Sequence, residues 1–473
     1  MNNSFFELMN MLNHKYPLYK MIMAFGISLF WQLSAVAEEP EIQVDEQYED
    51  SRTLSDRISF SALLNAEWAY GYSENRHQKM EVYLEPEVEI DLFSDIRLTG
   101  IARLRGDGYD RLEPGKPDQD EIWKPSRRLI IGDHTDIELR ELYLEIPFGD
   151  NYLTLGKQQI VWGKADGLKV LDVVNPQDFR EFILDDFDDS RIPLWTMNLE
   201  VPISAVLLQL LWIPDRTYHN TPDSGAVYEF TAPFIVPVAP PGVLVDLQDV
   251  ERPDRFFADS DVGIRLTTFW KGWDLSANYF YHFDDRPVLF QSLSITPTGP
   301  FVTIEPRYQR SHMIGGTFSN VFGDLTLRGE LGYFTDRYFI TNSPTDADGV
   351  FASDELSYVL GFDWFGFEDS LVSFQFFQSW VTDDESGIVR NELDTTTTLL
   401  LRHDFMNETL VTEILWLQNI NNGDGMVRPK LSYEINDSVK VWAGLDIFYG
   451  DREGLFGQFQ NNDRFIVGFE WGL

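Results

Sequence analysis

The chain has 473 residues, no cysteine, and 37 Lys and Arg against 77 Asp and Glu, a formal charge of −40. That balance excludes nucleic acid as a partner, because phosphate backbones are held by clustered Lys and Arg. The lack of cysteine excludes thiol catalysis, disulfides and thiolate-held metals, and suits a protein exported into an oxidising compartment. Aromatic residues at 14% exclude a disordered acidic chain, which is poor in them.

The first element is an address. Lys15 and Lys20 precede the apolar run 21–33, and the small residues Ala35 and Ala37 follow it before Glu38-Glu39-Pro40. A basic start, an apolar middle and small residues at the end predict a secretory leader, 1–37, cleaved after Ala37. An uncleaved anchor is the competing reading, but the run falls short of the roughly 20 residues a spanning helix needs. Translation from Met21 is the alternative start. Residues 38–56 form an acidic segment ahead of the first strand, and no later apolar stretch approaches membrane-spanning helical length.

From residue 57 onward the chain alternates apolar and polar with period 2. Successive segments pair across very short turns, such as Gly149-Asp150-Asn151, Lys271-Gly272-Trp273, Gly323-Asp324 and Asn436-Asp437-Ser438. Longer connections separate the pairs, at 106–135, 164–194, 215–259, 290–307, 340–352 and 383–391. Short turns at one end and long loops at the other predict an all-β, antiparallel, up-and-down transmembrane barrel over 57–473. The alternation gives 18 strands, with 16 as the alternative. An even count with every short turn after an even-numbered strand puts both termini at the short-turn, periplasmic end. The last strand carries Phe465, Val467, Phe469, Trp471 and Leu473 on one face, a terminal pattern similar to the signal read by barrel-assembly machinery. A soluble sandwich would bury these apolar faces instead, and would have to explain so many strands and the barrel-like terminus.

The stretch EVYLEPEVEIDLF (81–93) shows what such a strand implies. Val82, Leu84, Val88 and Ile90 face one way, and Glu81, Glu85, Glu87, Glu89 and Asp91 the other. A barrel turns the first set to lipid and the second to a wet lumen. Across the turn, Arg97, Arg103 and Arg105 share the inner face of the next strand, so acidic and basic rows should meet at roughly 0.2–1 kcal/mol per pair. Arg428 and Lys430 repeat the pattern late in the chain. Most such charges only brace and solvate the wall; the sharper expectation is a field that selects charged solutes.

The block 155–195 departs from the alternation. Leu168, Val170, Leu171, Val173, Val174, Phe179, Phe182 and Ile183 are too apolar for a loop in water. Burial favours a loop folded into the lumen over a cap on the mouth, with Lys164, Asp166, Lys169, Asp172, Asn175, Asp178 and Arg180 lining a constriction. Asn175 or Asp178 can cap a short helix over 177–184. Asp185, Asp186, Asp188 and Asp189 could ligate Ca²⁺, which takes six to eight oxygens. They lack the spacing of a calcium loop, and pairing with Arg180 and Arg191 is the plainer reading. The proline-dense stretch 232–241 in the next long loop excludes regular structure there and suggests a rigid external loop or a greasy ledge.

Leu155-Gly156-Lys157-Gln158-Gln159, Trp162-Gly163, Asp172, Asn175-Pro176 and Asp178 together resemble a block in uncharacterised, porin-like outer-membrane barrels of proteobacteria, grouped as a domain of unknown function. The resemblance implies a barrel with no established substrate and no catalytic residues. Some members are similar in context to partners of export pumps of the resistance–nodulation–division type, which implies a periplasmic or export-pump partner.

No Gly-x-Ser-x-Gly or His-Glu-x-x-His motif occurs, so the chain is expected not to be an enzyme and to need no cofactor. The expectation is a porin-like channel of the Gram-negative outer membrane, in contact with membrane lipid and lipopolysaccharide, passing small solutes passively or under loop control. A barrel carrying hydrophobic compounds or lipids, and a structural or assembly barrel, are the alternatives.

Overall fold

A computed structural model describes residues 57–473 except 93–94, 240, 298, 344–345 and 384–386; the leader and acidic segment lie outside the described residues. The strands in chain order are β1 (Ile58–Gly71), β2 (Arg76–Asp91), β3 (Arg97–Asp107), β4 (Leu129–Ile131), β5 (Thr135–Phe148), β6 (Asn151–Gln158), β7 (Leu194–Ile203) and β8 (Val206–Ile213). They continue with β9 (Leu244–Leu247), β10 (Asp261–Trp270), β11 (Trp273–Phe283), β12 (Val288–Thr296), β13 (Gly299–Arg307), β14 (Arg310–Phe322) and β15 (Leu325–Ile340). The last are β16 (Val350–Trp364), β17 (Ser370–Val381), β18 (Leu393–Phe405), β19 (Leu410–Asn419), β20 (Gly425–Asn436), β21 (Val439–Tyr449) and β22 (Arg464–Gly472).

Leaving aside β4 and the separate β9, β12 and β13, 18 strands pair with their neighbours in antiparallel register. The cylinder closes where β1 meets β22, from Leu63 opposite Gly472 to Gly71 opposite Arg464. Closure gives every ladder group a partner, the condition for crossing lipid without edges. Period-2 sequences produce it directly: Leu84 and Ile90 point outward, while Glu81 and Glu85 line the lumen. The short turns are tight hairpins; at Lys271-Gly272 both residues have positive φ (50° and 87°), matching the type I′ turn that follows strand twist. Around the short-turn end Phe269, Trp270, Phe322, Phe365, Phe367 and Phe405 are exposed, an aromatic girdle at the lipid boundary.

The structure corrects three expectations. The alternation reads a strand over 151–163, but β6 ends at Gln158, because the Asn175 Oδ1 accepts the Ile160 N–H at 2.7 Å and draws the chain inward. With Asn175 so used, no helix forms over 177–184; the turn there is followed by one short helix, α1 (Phe187–Ser190). The connection expected at 290–307 is instead the β12–β13 hairpin, joined in parallel by β9 into a three-stranded sheet beyond the barrel end.

Inside the barrel the long loops form dry cores rather than a wet bore. In one, Trp162, Val170, Leu171 and Val174 of the 159–193 loop pack on Phe280, Met313, Phe334, Val359 and Phe377 of the inner wall. In the other, Phe182 and Leu184 meet Val227 and Tyr228 of the 214–260 loop, with Phe448, Phe456 and Phe459. The 214–260 loop is thus split: its first part is buried in the lumen, while Val236, Val238, Phe256 and Phe257 are exposed.

Candidate functional site

The 159–193 loop crosses the lumen and is pinned at both walls. Its first leg reaches β15, where buried Glu330 accepts the backbone N–H groups of Lys164, of Ala165 at 2.8 Å and of Leu171 at 3.0 Å. Arg328 holds Asp166 and the Lys164 carbonyl, Lys164 pairs with Asp274, and the Asp166 N–H reaches Gln375 at 3.2 Å. Leu171 seats beside Gly315, where a Cβ would stand 2.6 Å from its side chain and 2.5 Å from the Leu331 carbonyl oxygen. Only glycine permits that approach.

The second leg returns to the opposite wall. Arg180 donates both terminal nitrogens to Glu81 at 2.6 and 2.9 Å, a bidentate ion pair. Glu181 pairs with Lys79 on β2 and with Arg464 on β22 at 2.8 Å. Arg464 and Arg428 share Asp446, each at 2.7 Å, and Arg428 also donates to the Leu184 carbonyl at 2.8 Å. Arg103 pairs with Glu85 at 3.1 Å and Asp189 at 2.5 Å, while Arg140 donates to the carbonyls of Asp188, Asp189 and Arg191.

The block that carries the family resemblance is the loop's own frame. Asp172 binds Arg191 at 2.8 Å and Lys169 at 3.4 Å; Asn175 ties Ile160 to the Ile192 carbonyl. Asp178 accepts from Asn220 at 2.9 Å, and the Trp162 indole donates to Gln209 at 2.9 Å. Of the constriction residues, Lys164 and Asp166 therefore sit at the far wall, Arg180 at the near wall, and Lys169, Asp172, Asn175 and Asp178 within the loop.

The four aspartates do not converge on a calcium site. Asp188 goes to Arg191 at 2.5 Å and Asp189 to Arg103, and no metal-holding group of three carboxylates or imidazoles exists among the described residues. Arg180 is not their partner, because Glu81 holds it. The charged wall is also only partly a facing pair of rows. Arg97 meets Asp91 at 3.2 Å and Glu89 at 3.5 Å, and Arg105 reaches Glu81 at 4.0 Å but lies closer to Asp136 at 2.7 Å and Glu113 at 3.0 Å. Glu87 accepts from Ser61, and Lys430 lies over the Trp442 ring with no ion pair among the described residues. Sequence reasoning gave no role to Lys79, Arg140, Glu181, Arg328, Glu330 or Arg464. Five of these are charged at inward positions of their strands, which was the available signal; Glu181 had none.

Beside the loop a cavity of about 470 Å³ runs along β1–β5 and β20–β22, lined by Lys79, Glu81, Glu85, Arg103, Asp185 and Lys430 among others. Toward the long-loop end a vestibule of about 300 Å³ lies on the β15–β19 side. Burial pushes the Asp185 carboxyl up to about 7, helped by the charge of Glu181. Burial alone would raise Glu181 too, but Lys79, Arg464 and Arg180 overcome it and hold it well below the carboxylate range. Burial lifts Glu113 to about 8 and lowers Lys169 to about 8.

Residues 132–388, more than half of the chain, match the model of the protein family of unknown function DUF1302. The chain belongs to that family. No protein of curated description matches it in sequence. Its fold is similar to that of OccAB2 from Acinetobacter baumannii, at 10% identity and TM-score 0.52 over 88% of this chain and 98% of the other. The outer membrane protein OpdK from Pseudomonas aeruginosa aligns at 10% identity and TM-score 0.50 over 89% and 100%, and OccK9 (OpdG) from the same organism at 9% and 0.50 over 89% and 99%. At these identities the likeness establishes the barrel architecture this DUF1302 member shares with them.

Proposed function

We propose that this DUF1302 protein is an outer-membrane channel for small solutes, with the 159–193 loop as its constriction and the leader 1–37 removed on export. The observation that carries the reading is the loop pinned at Glu330 on one wall and Glu81 on the other, beside a charged cavity of about 470 Å³. A barrel of this size encloses more than side chains can fill, so what fills it decides what passes. The charged lining suits polar solutes, and the net charge suits a mild preference for cations. Among the described residues a close serine–histidine contact, Ser370 Oγ to His403 Nδ1 at 2.7 Å, lies at the short-turn end, with no carboxylate on the ring among them, which gives catalysis little support. Planar-bilayer recording of the refolded protein tests the reading. The full chain should show small steps, and a variant lacking 165–190 larger ones. Absence of steps in both would end it.

A second reading, a carrier of apolar compounds, is favoured by one observation: the sheet of β9, β12 and β13 exposes an apolar face beyond the barrel.

A further inference from the structure

We propose that the long-loop vestibule is a binding site for amphipathic organic anions, an apolar body carrying one carboxylate, with Arg286 as the anion's partner. The proposal rests on the channel reading for its purpose but not for its chemistry.

The vestibule gathers three guanidiniums, Arg286, Arg337 and Arg390, within a lining that also holds five carboxylates, Asp284, Glu355, Asp394, Asp451 and Glu453. Arg337 pairs with Asp284 at 2.8 Å and Glu355 at 3.5 Å, and Arg390 pairs with the same Glu355 at 3.4 Å. Two carboxylates thus serve two guanidiniums. Arg286, in the loop just after β11, is a third, lines the same cavity and is solvent-facing. Its backbone N–H bonds Asp284 at 3.2 Å, but its guanidinium makes no ion pair among the described residues. Neighbouring Asp285 is turned toward His219, 3.9 Å away. Burial, then the like charges of Asp284 and Asp261, raises its carboxyl above the ordinary carboxylate range. Asp394, Asp451 and Glu453 line the cavity from β18 and the 450–463 loop, away from the 284–287 turn, and would turn an anion's charged end toward Arg286.

The other half of the cavity is apolar: Phe234, Ile235, Val288, Leu289 and Phe339. Strand periodicity carries that surface outward. Leu289, Leu293 and Ile295 share one face of β12. Register places Val302 opposite Leu293 and Val245 beside Val302, so β13 and β9 continue the face. Ile295 is 88% exposed, Leu293 67% and Leu247 66%. Single exposed apolar residues need no explanation, but an apolar face that reaches a cavity, interrupted on β12 by Gln291, beside a guanidinium without an ion pair among the described residues fits a ligand that is greasy along its length and anionic at one end.

Calorimetric titration of the full mature protein in lipid nanodiscs, with empty nanodiscs subtracted, tests the site with cyclohexanecarboxylate, cyclohexanecarboxamide and acetate. The carboxylate should bind about tenfold or more tightly than either its uncharged amide or acetate, since one loses the ionic partner and the other the apolar body. Arg286→Gln should weaken the carboxylate by about tenfold and leave the amide unchanged, Arg286→Lys should recover part of the loss, and Leu289→Asn should weaken both. Arg402→Gln, near the short-turn end of β18, where Arg402 pairs with Asp404 at 3.0 Å, should change nothing. Equal binding of carboxylate and amide, or wild-type affinity in Arg286→Gln, overturns the proposal. Binding without any bilayer conductance would reject the channel reading and leave the site standing; conductance without carboxylate binding does the reverse.

Discussion

Replacing Glu330 should free the loop without harming the barrel. Its carboxylate takes three backbone N–H groups of the loop, from Lys164, Ala165 and Leu171, and Glu330 itself is 2% exposed. A hydrogen bond to a charged group contributes roughly 1.5–3 kcal/mol, so three at the low end give about 4–5 kcal/mol. Burying the ionised carboxylate costs several kcal/mol of that, so the net loss in Glu330→Ala, which strands buried donors, is about 2–4 kcal/mol of loop docking. Glu330→Gln keeps the volume but offers one acceptor oxygen and an NH₂ group. At least one loop N–H then faces a donor, at about 1–3 kcal/mol. The docked population should fall by about tenfold or more in either variant, further in Ala. The assay is single-channel conductance together with limited trypsinolysis, since Lys164 and Lys169 become cleavable only when the loop leaves the wall. Conductance should rise in the order wild type, Gln, Ala, while the barrel's β-signal and melting stay close to wild type. A wild-type current and cleavage pattern in Glu330→Ala would refute the account of the loop as a strap held by this carboxylate.

Further outcomes follow from the opposite wall and from the charge. Arg180→Ala strands Glu81 without its bidentate partner and should destabilise loop docking by about 3–5 kcal/mol, read as a larger conductance step, whereas the double variant Arg180→Met with Glu81→Leu should be nearer wild type. The Asp185 carboxyl is raised in the docked loop to about 7 from 3.8, so docking is favoured below the lower value and weakens as pH climbs between them. Glu181 is depressed, so its contribution is complete above its ordinary 4.5 and is lost as pH falls below that. Conductance should therefore be lowest at about pH 5 and rise toward pH 8, and Asp185→Asn should remove the alkaline rise; a flat profile in the wild type would contradict both assignments. Reversal potentials in a KCl gradient should report a mild cation preference, and an anion preference would show that local lumen charge outweighs the net −40.

The barrel was legible because its physics is local. A half-lipid, half-water strand has to alternate, so β2 and β22 announce themselves residue by residue, and all 18 wall strands were read with their turns. What failed depended on distant partners. The helix expected over 177–184 rested on Asn175 or Asp178 as its cap; the Asn175 side chain is taken by Ile160 across the loop, and Asp178, shared between the Arg180 N–H and Asn220, caps only a turn. The β12–β13 hairpin was read as one of the longer connections; Gly299, Pro300 and Pro306 punctuate its second strand, yet Pro306 lies at an end where a missing N–H costs little. Arg105 was expected to face the acidic row of β2; it keeps Glu81 at 4.0 Å but binds Asp136 and Glu113 more closely, because β5 and the 108–134 loop approach it from the other side. The dry lumen left a trace that periodicity alone does not use: Phe280, Met313, Phe334 and Phe377 occupy inward positions that a wet bore would fill with polar residues.

Those inward aromatics bear on how the strap can move. On the β11–β17 side the loop is held by apolar burial and by Glu330, and on the β2 and β22 side by ion pairs among Arg180, Glu81, Glu181, Lys79 and Arg464. The two attachments respond to different variables. Burial of Trp162 and Leu171 is indifferent to salt, whereas buried ion pairs lose their reason to stay dry once water enters and screens them. A loop held this way should open from the charged side first, hinging on its apolar anchor, which widens the cavity along β1–β5 rather than emptying the whole bore. Cleavage mapping distinguishes the two modes: opening from the charged side exposes Arg180 and Arg191 to trypsin before Lys164 and Lys169. Cleavage at Lys164 first would mean that the apolar anchor, not the ion-pair side, is the weaker hold.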